Sequence, residues 1–194
     1  SETSIQGLFA AGEVVGGAYC GEEGASQLCR CLVMGALAGR NAASFVEGMK
    51  STMIKEHEWQ AVTSRVMGFV SRSWTESAEA VRKNINKLVY NAMGPIRDGN
   101  ILEKTLRELE AIDKKIYSFK IENPSDLQNA LEAENMLVLA KALLGAGFRR
   151  QESRCPHFRS DFPQRDDNWF KQIIISMDKK NQLEFTEETI TVSS

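Results

Sequence analysis

The sequence predicts a mainly α protein with a small β part. Three observations carry that prediction: long apolar stripes at helical spacing between residues 26 and 147, three capping signals of one kind, and two short β-branched runs near the C-terminal end. The first stretch organises the rest. Gly7-Leu8-Phe9-Ala10-Ala11-Gly12-Glu13-Val14-Val15-Gly16-Gly17 reads as a short strand from about Ile5 to Phe9, followed by a loop with five glycines among the thirteen residues from Gly12 to Gly24. That density is too high for the interior of a helix or strand.

Out of this loop comes a helix. Ser26 is the expected N-cap, and Gln27 to about Gly48 carries Leu28, Leu32, Val33, Leu37, Ala38 and Ala42 at helical spacing, with Gly35 and Gly39 permitting close packing. A helix start directly after a glycine loop offers unpaired N–H groups and the positive end of the helix dipole, which suits phosphate or negative charge on a cofactor ring. Glycine loops also serve ordinary turns, and the two readings stand side by side at this level.

Residues 50–72 lean to a connecting helix, with Trp59, Val62, Val66, Phe69 and Val70 near helical spacing. Three helices then follow, each announced by a polar cap with Glu or Gln three residues on. Ser73 with Glu76 opens one that runs to about Met93, with Ala78, Val81, Ile85, Leu88 and Ala92 on one face, and Gly94-Pro95 stops it. Asn100 with Glu103 opens the second, striped by Leu102, Leu106, Leu109, Ile112 and Ile116. Ser125 with Gln128, after Pro124, opens the third, whose Leu131, Leu137, Val138, Leu143 and Leu144 nearly surround it until Gly145 and Gly147 end it. Short connections make residues 73–147 a three-helix bundle.

Arg149 to Asp167 changes character. Arg149, Arg150, Arg154, His157, Arg159 and Arg165 alternate with Glu152, Asp161, Asp166 and Asp167, and Pro156 and Pro163 prevent helix. Such a run is a solvated surface or an ion-pair network folded onto the protein, and the interleaved Phe158, Phe162 and Trp169 favour the network. Trp169 to Met177 and Gln182 to Thr186 then form a hairpin through Asp178-Lys179-Lys180-Asn181.

Composition narrows the function. The 24 basic and 26 acidic residues nearly cancel, so neither nucleic acid nor a membrane surface is expected as a partner. No apolar run reaches the roughly 18 residues of a spanning helix, so direct membrane insertion is not expected. Four cysteines in 194 residues do not make a disulfide framework, and reduced thiols are expected. Cys29 and Cys31 at i and i+2 of a helix point to different faces, His57 and His157 fall in different elements, and no metal site is expected. A GxGxxG fingerprint, a P-loop and a GxSxG elbow are absent.

Two separated stretches resemble one family. Thr3 to Glu13 is similar to the last FAD-contacting strand and loop of the flavoprotein subunits of fumarate reductase, succinate dehydrogenase, adenylylsulfate reductase and L-aspartate oxidase. Leu32-Val33-Met34-Gly35-Ala36-Leu37-Ala38-Gly39 resembles the helix that follows it there. Glu152-Ser153-Arg154-Cys155-Pro156-His157-Phe158-Arg159-Ser160-Asp161-Phe162-Pro163-Gln164-Arg165-Asp166-Asp167 resembles the family's C-terminal signature, Glu-Ser-Arg-Gly-Ala-His-x-Arg-x-Asp-x-Pro-x-Arg-Asp-Asp.

The resemblance implies that the chain is the C-terminal part of an FAD-dependent oxidoreductase, inactive on its own. Residues 1–50 would end an FAD-binding α/β domain, 51–72 connect, 73–148 form the three-helix bundle, and 149–194 make the charged loop and hairpin. It implies FAD contacts at Gly12, Glu13, Gln27 and Leu28, and a structural or assembly role for Arg154, His157 and Arg159; no catalytic residue is assigned. The implied partners are the N-terminal FAD-binding portion and an iron–sulfur subunit, in a cytoplasmic protein peripheral to the membrane through its partner subunits. Dicarboxylate-using members carry His-Gly-Ala-Asn-Arg-Leu-Gly where this chain has Ala18-Tyr19-Cys20-Gly21-Glu22-Glu23-Gly24. Glu22 stands where they hold a substrate-binding arginine and would repel a carboxylate, so the substrate stays open. The reading from another class is a non-enzymatic helical interaction module that keeps a flavin loop as structure.

Overall fold

The computed structural model describes residues 1–15, 24–49, 53–70, 76–114 and 119–190, without the side chains of 24–27. Ser73, Ile116, Ala18 and Glu22, and the side chain of Gln27, lie outside these. The chain divides into two compact units, Ser1–Lys55 and Glu56–Ser194.

In the first unit the expected strand from Ile5 to Phe9 is a tight turn instead. Glu2 bridges Phe9, the Thr3 amide donates to the Leu8 carbonyl at 2.8 Å, and Gly7 takes φ 80° at the corner. Each rung of a strand needs a partner, and among the described residues of this segment only Glu2 pairs with Phe9. The Phe9 ring meets Phe45 edge-on, with centroids 5.9 Å apart, so the turn rests on the helix that follows. That helix, α1 (Gly24–Glu47), begins before the expected cap and takes Ser26 into its first turn. Its small residues let Gly12 approach closely. A Cβ on Gly12 would stand 2.9 Å from the Cys31 sulfur, and Gly12 has φ 78°.

The second unit opens with α2 (Glu56–Val70), which buries Phe69 and reaches α5 through an Arg65–Glu134 ion pair at 3.4 Å. The three-helix bundle is α3 (Ala78–Ala92), α4 (Gly99–Asp113) and α5 (Pro124–Arg149). Their caps lie beside the expected ones. Ser77 caps α3, Asp98 caps α4, and Asn123 caps α5 in a reciprocal box with Asp126, Pro124 following at the first helical turn. Glu76, expected inside the first capping signal, pairs its backbone with Phe119 instead.

The core forms along one seam of α5. Ala130, Ala133, Leu137, Ala140 and Leu144 recur at alternating three- and four-residue steps, and the alanines let α3 and α4 approach. Ile85, Ala92, Leu102, Leu109 and Phe119 fill the other side. Arg82 bonds to Glu132 and Met93 packs on Gly147, so α3 and α5 run parallel. Asp113 holds Lys141 at 2.8 Å while Gly99 lies near Arg159, whose guanidinium bonds to the Gly147 carbonyl, so α4 runs antiparallel to both.

Gly145 and Gly147 do not end α5, which continues to Arg149. Both are contact points rather than stops. A Cβ on Gly145 would lie 2.5 Å from the Phe185 ring, and one on Gly147 3.2 Å from the Met93 sulfur.

Two residues, β1 (Ile96–Arg97), pair in parallel with β2 (Phe158–Arg159), tying the charged segment to the α3–α4 connection. The chain ends in an antiparallel hairpin, β3 (Lys171–Met177) and β4 (Leu183–Thr189), in register from Lys171↔Thr189 to Met177↔Leu183. Trp169 lies before it in a short 3-10 turn rather than in the strand. Asp178 accepts from the amides of Lys180 and Gln182, and Asn181 takes φ 59°, which closes the polar connection.

Candidate functional site

The residues singled out from sequence fall in two places, one per unit. In the first, Gly12 is buried at positive φ and opens a 3-10 turn, Gly12–Val15, whose Glu13 side chain is exposed. The first turn of α1, a 24-residue helix, carries no acidic residue; Glu22 and Glu23, next before it in sequence, lie outside the described residues. Leu28 is 71% exposed, Leu32 74% and Val33 65%. An exposed carboxylate beside a tight glycine turn, a helix start and an apolar flank suit a flavin dinucleotide: hydroxyls for the carboxylate, N–H groups for a charged ring, apolar contact for its face. These residues fit the group, though no contact to it is placed here.

In the second unit the charged segment folds inward. Glu152 is fully buried and is the hub. Its Oε1 accepts from Arg150 Nη1 at 2.7 Å and Arg154 Nε at 2.8 Å; its Oε2 accepts from Arg154 Nη2 at 3.2 Å and the Asp166 amide at 3.0 Å. Burial alone would raise this carboxyl, but the bonds from Arg154, the Asp166 amide and Arg150 outweigh it and hold the group below the ordinary carboxylate range.

Arg159, 1% exposed, is the second anchor. Its Nη1 donates to the carbonyls of Gly147, Phe148 and Arg150, the last turn of α5, whose carbonyls have no intrahelical partner. Its Nε and Nη2 grip Asp161 at 2.8 and 2.7 Å. Asp161 in turn accepts from the Gly99 amide at the start of α4. The bond to Arg159 is the main reason that the Asp161 carboxyl is held low.

Arg154 and His157 close a turn in which each amide donates to the other's carbonyl, at 2.8 and 2.9 Å. Cys155, at its corner, has φ 53°, the left-handed conformation that suits the glycine of the resembling signature. Cys155 is also disulfide-bonded, which corrects the expectation of reduced thiols for this cysteine: that expectation rested on the lack of a disulfide framework, and a single bond needs none. Cys29 and Cys31 are free. His157 Nε2 faces the Arg150 carbonyl at 3.4 Å, the same oxygen that Arg159 uses. Burial lowers this imidazole, the Arg150 carbonyl partly opposes that, and the charges of Arg97, Arg150 and Arg159 lower it further.

The structure thus brings Arg154, His157 and Arg159 into one cluster and keeps Gly12, Glu13, Gln27 and Leu28 in a separate unit. Glu152, Asp161, Arg97 and Gly99 belong to the cluster without having been singled out. Glu152 and Asp161 had a signal, since both stand in the quoted signature; Arg97 and Gly99 had none beyond the Gly94-Pro95 break before them.

A helical bundle closed by a buried Glu-Ser-Arg…His-x-Arg-x-Asp latch is the arrangement expected of a flavoprotein subunit's C-terminal region from the resemblance of residues 152–167. Residues 82–194 match the family described as fumarate reductase flavoprotein C-term, and the chain belongs to that family. An FAD-dependent oxidoreductase of Methanocaldococcus jannaschii is 34% identical over 90% of this chain and 32% of its own length. A fumarate reductase flavoprotein subunit of Mycobacterium tuberculosis is 32% identical over 87% of this chain and 31% of its own. Among solved structures, Sdh1 of Mycobacterium smegmatis in complex with UQ1 has a TM-score of 0.80 at 23% identity, covering 95% of this chain and 33% of that one, a likeness of fold. The chain spans about a third of the length of these relatives. Among the described residues no helix is long and apolar enough to cross a membrane.

Proposed function

We propose that this chain is the C-terminal portion of an FAD-dependent oxidoreductase flavoprotein, in which residues 1–50 complete one edge of the FAD site and residues 73–194 form the helical domain and its latch, joined through 51–72. The observation that carries the reading is Gly12. A buried glycine at φ 78°, with its Cα face against Cys31, holds the exposed Glu13 in a turn packed on α1. That arrangement has a physical reason when a ligand must come close, and the resemblance of Thr3 to Glu13 to an FAD-contacting strand and loop supports FAD as that ligand.

On this reading Glu13 accepts from FAD hydroxyls, and the α1 start at Gln27 and Leu28 faces the ring. FAD supplies the hydride and electron chemistry when bound. The exposed apolar face of α1 is covered by the N-terminal FAD-binding portion, and an iron–sulfur subunit is the further partner of the assembled protein. Arg154, His157 and Arg159 hold the tail in place for assembly. The location that accords with these partners is cytoplasmic, peripheral to the membrane. The substrate stays open, because Glu22 stands where the dicarboxylate-using members of the resembling family hold a substrate-binding arginine.

The test is reconstitution. The chain alone is expected to be colourless and inactive, and to gain flavin absorbance when combined with FAD and the N-terminal portion. Glu13→Ala is expected to lower the flavin content of that assembly. Failure to bind either FAD or the N-terminal portion sinks the reading; full flavin content in the variant sinks the role of Glu13.

A further inference from the structure

Two arginines around the 154–157 turn, Arg154 and Arg159, share one bonding pattern. Arg154 gives its Nε–Nη2 edge to Glu152, at 2.8 and 3.2 Å, and Arg159 gives the same edge to Asp161, at 2.8 and 2.7 Å. Arg159 spends its remaining nitrogen, Nη1, on backbone carbonyls. Arg97 is the register partner of Arg159 across β1 and β2 and makes the same division. Its Nη1 donates to the Pro156 carbonyl at 2.8 Å. The edge that should then hold a carboxylate holds none. Nε is buried without an acceptor, and among the described residues neither Nη2 nor any other atom of this guanidinium is paired with a carboxylate.

We propose that the Nε–Nη2 edge of Arg97 is a binding site for a carboxylate from outside the described residues, entering from the Nη2 side. A planar two-oxygen acceptor matches this edge, as Glu152 and Asp161 demonstrate on the neighbouring guanidiniums. The local charge favours it. Arg150 is compensated by Glu152 and Arg159 by Asp161, whereas among the described residues no carboxylate is paired with Arg97 or with the half-buried His157. Asp98, next in the chain, is committed elsewhere: its oxygens take the Asn100 amide and the Ser160 hydroxyl. A buried N–H that lacks an acceptor calls for a partner. The proposal is independent of the FAD reading and stands on the second unit alone.

The carboxylate is either free in solution or carried on an Asp or Glu of another protein segment, and two arms separate these. In the ¹⁵N-labelled chain, the Arg97 Nε–H resonance, assigned by its loss in Arg97→Lys, is followed during titration with sodium acetate against sodium chloride at matched ionic strength. A saturable downfield shift with acetate, none with acetamide, and a rise in the His157 pKa on the same isotherm support a free-carboxylate site. Arg97→Lys keeps the charge and removes the edge, and should weaken acetate binding, read at His157, by roughly tenfold or more. If acetate leaves the resonance unmoved but combination with the N-terminal flavoprotein portion shifts it, the carboxylate is protein-borne. A resonance unmoved in both arms, or moved equally by chloride or acetamide, overturns the proposal and leaves water on the buried nitrogen. The His157 pKa under acetate, chloride and acetamide is read in the unaltered chain alone, so that comparison holds whatever the variant's stability.

Discussion

Replacing Glu152 by Gln is the sharpest test of the latch. The side chain keeps its size and loses its charge, in a position with no exposure to water. Four donors converge on its two oxygens, two on each. An amide offers one accepting oxygen, so it keeps at most two of these bonds and presents its own NH₂ to the other two donors. Bonds to charged groups contribute about 1.5–3 kcal/mol each. Two lost bonds therefore amount to about 3–6 kcal/mol, which overlaps the roughly 3–5 kcal/mol of breaking a buried ion pair by removing one partner. For a protein of this size the melting temperature should fall on the order of 10 °C.

The assay is urea denaturation followed by far-UV circular dichroism at several pH values, with the slope checked for constancy. The sign with pH is determined by the direction of the shift. The folded carboxyl lies below its ordinary value, so its contribution is complete above about pH 4.3 and is lost as pH falls through the folded value. The difference between parent and Glu152→Gln should shrink in that window. A variant within about 0.5 kcal/mol of the parent at pH 7, or a difference that does not shrink with acid, would refute the account.

Two further outcomes are expected. Gly99→Ala should destabilise by about 1–3 kcal/mol in the same urea assay, because the new Cβ would stand 2.5 Å from Asp161 Oδ2 and 2.8 Å from Arg159 Nη2, both tethered in the latch; a gain, as Gly→Ala gives in a free helix, would show that the latch yields. The His157 imidazole, lowered chiefly by burial, should titrate below about 6.5 by NMR, so its stabilising contribution is complete above that pH and declines as pH falls toward the folded value; a titration at or above 6.5 contradicts its placement among three guanidiniums.

The helical stripes were legible because burial follows period. Ile85, Leu102, Leu109 and Leu137 sit in the core as their spacing required. The caps were less so. Ser73, Asn100 and Ser125 each satisfy the polar-x-x-Glu/Gln pattern, but Ser77, Asp98 and Asn123 hold the structural positions, and several polar residues within one turn offer the same local chemistry. Gly145 and Gly147 read as stops because nothing local reveals the Phe185 ring and the Met93 sulfur that occupy the space a side chain would need. The strand at Ile5 to Phe9 failed for the complementary reason: a β-run is completed by its neighbours, and here one bridge was available among the described residues. Of the cluster, the arginines were visible and their carboxylate partners only as part of a dense charged run.

The order of charges in that run follows from the bundle's topology. Because α4 runs antiparallel to α5, the amide end of one lies beside the carbonyl end of the other. These are opposite poles of two helix dipoles. A residue that satisfies both must be cationic toward α5 and anionic toward α4, and the chain places Arg159 on the last α5 carbonyls and Asp161, two residues on, on the first α4 amide. The pair then neutralises itself through two short bonds. Burial of such a pair adds little net stability, since desolvation offsets most of the attraction; its effect is to fix which helix ends meet. Arg159 has no donor nitrogen left over for a substrate, so its chemistry is positional. Arg97, one strand away, repeats the geometry with its carboxylate edge open, and that difference separates a residue that holds the fold from one poised to bind.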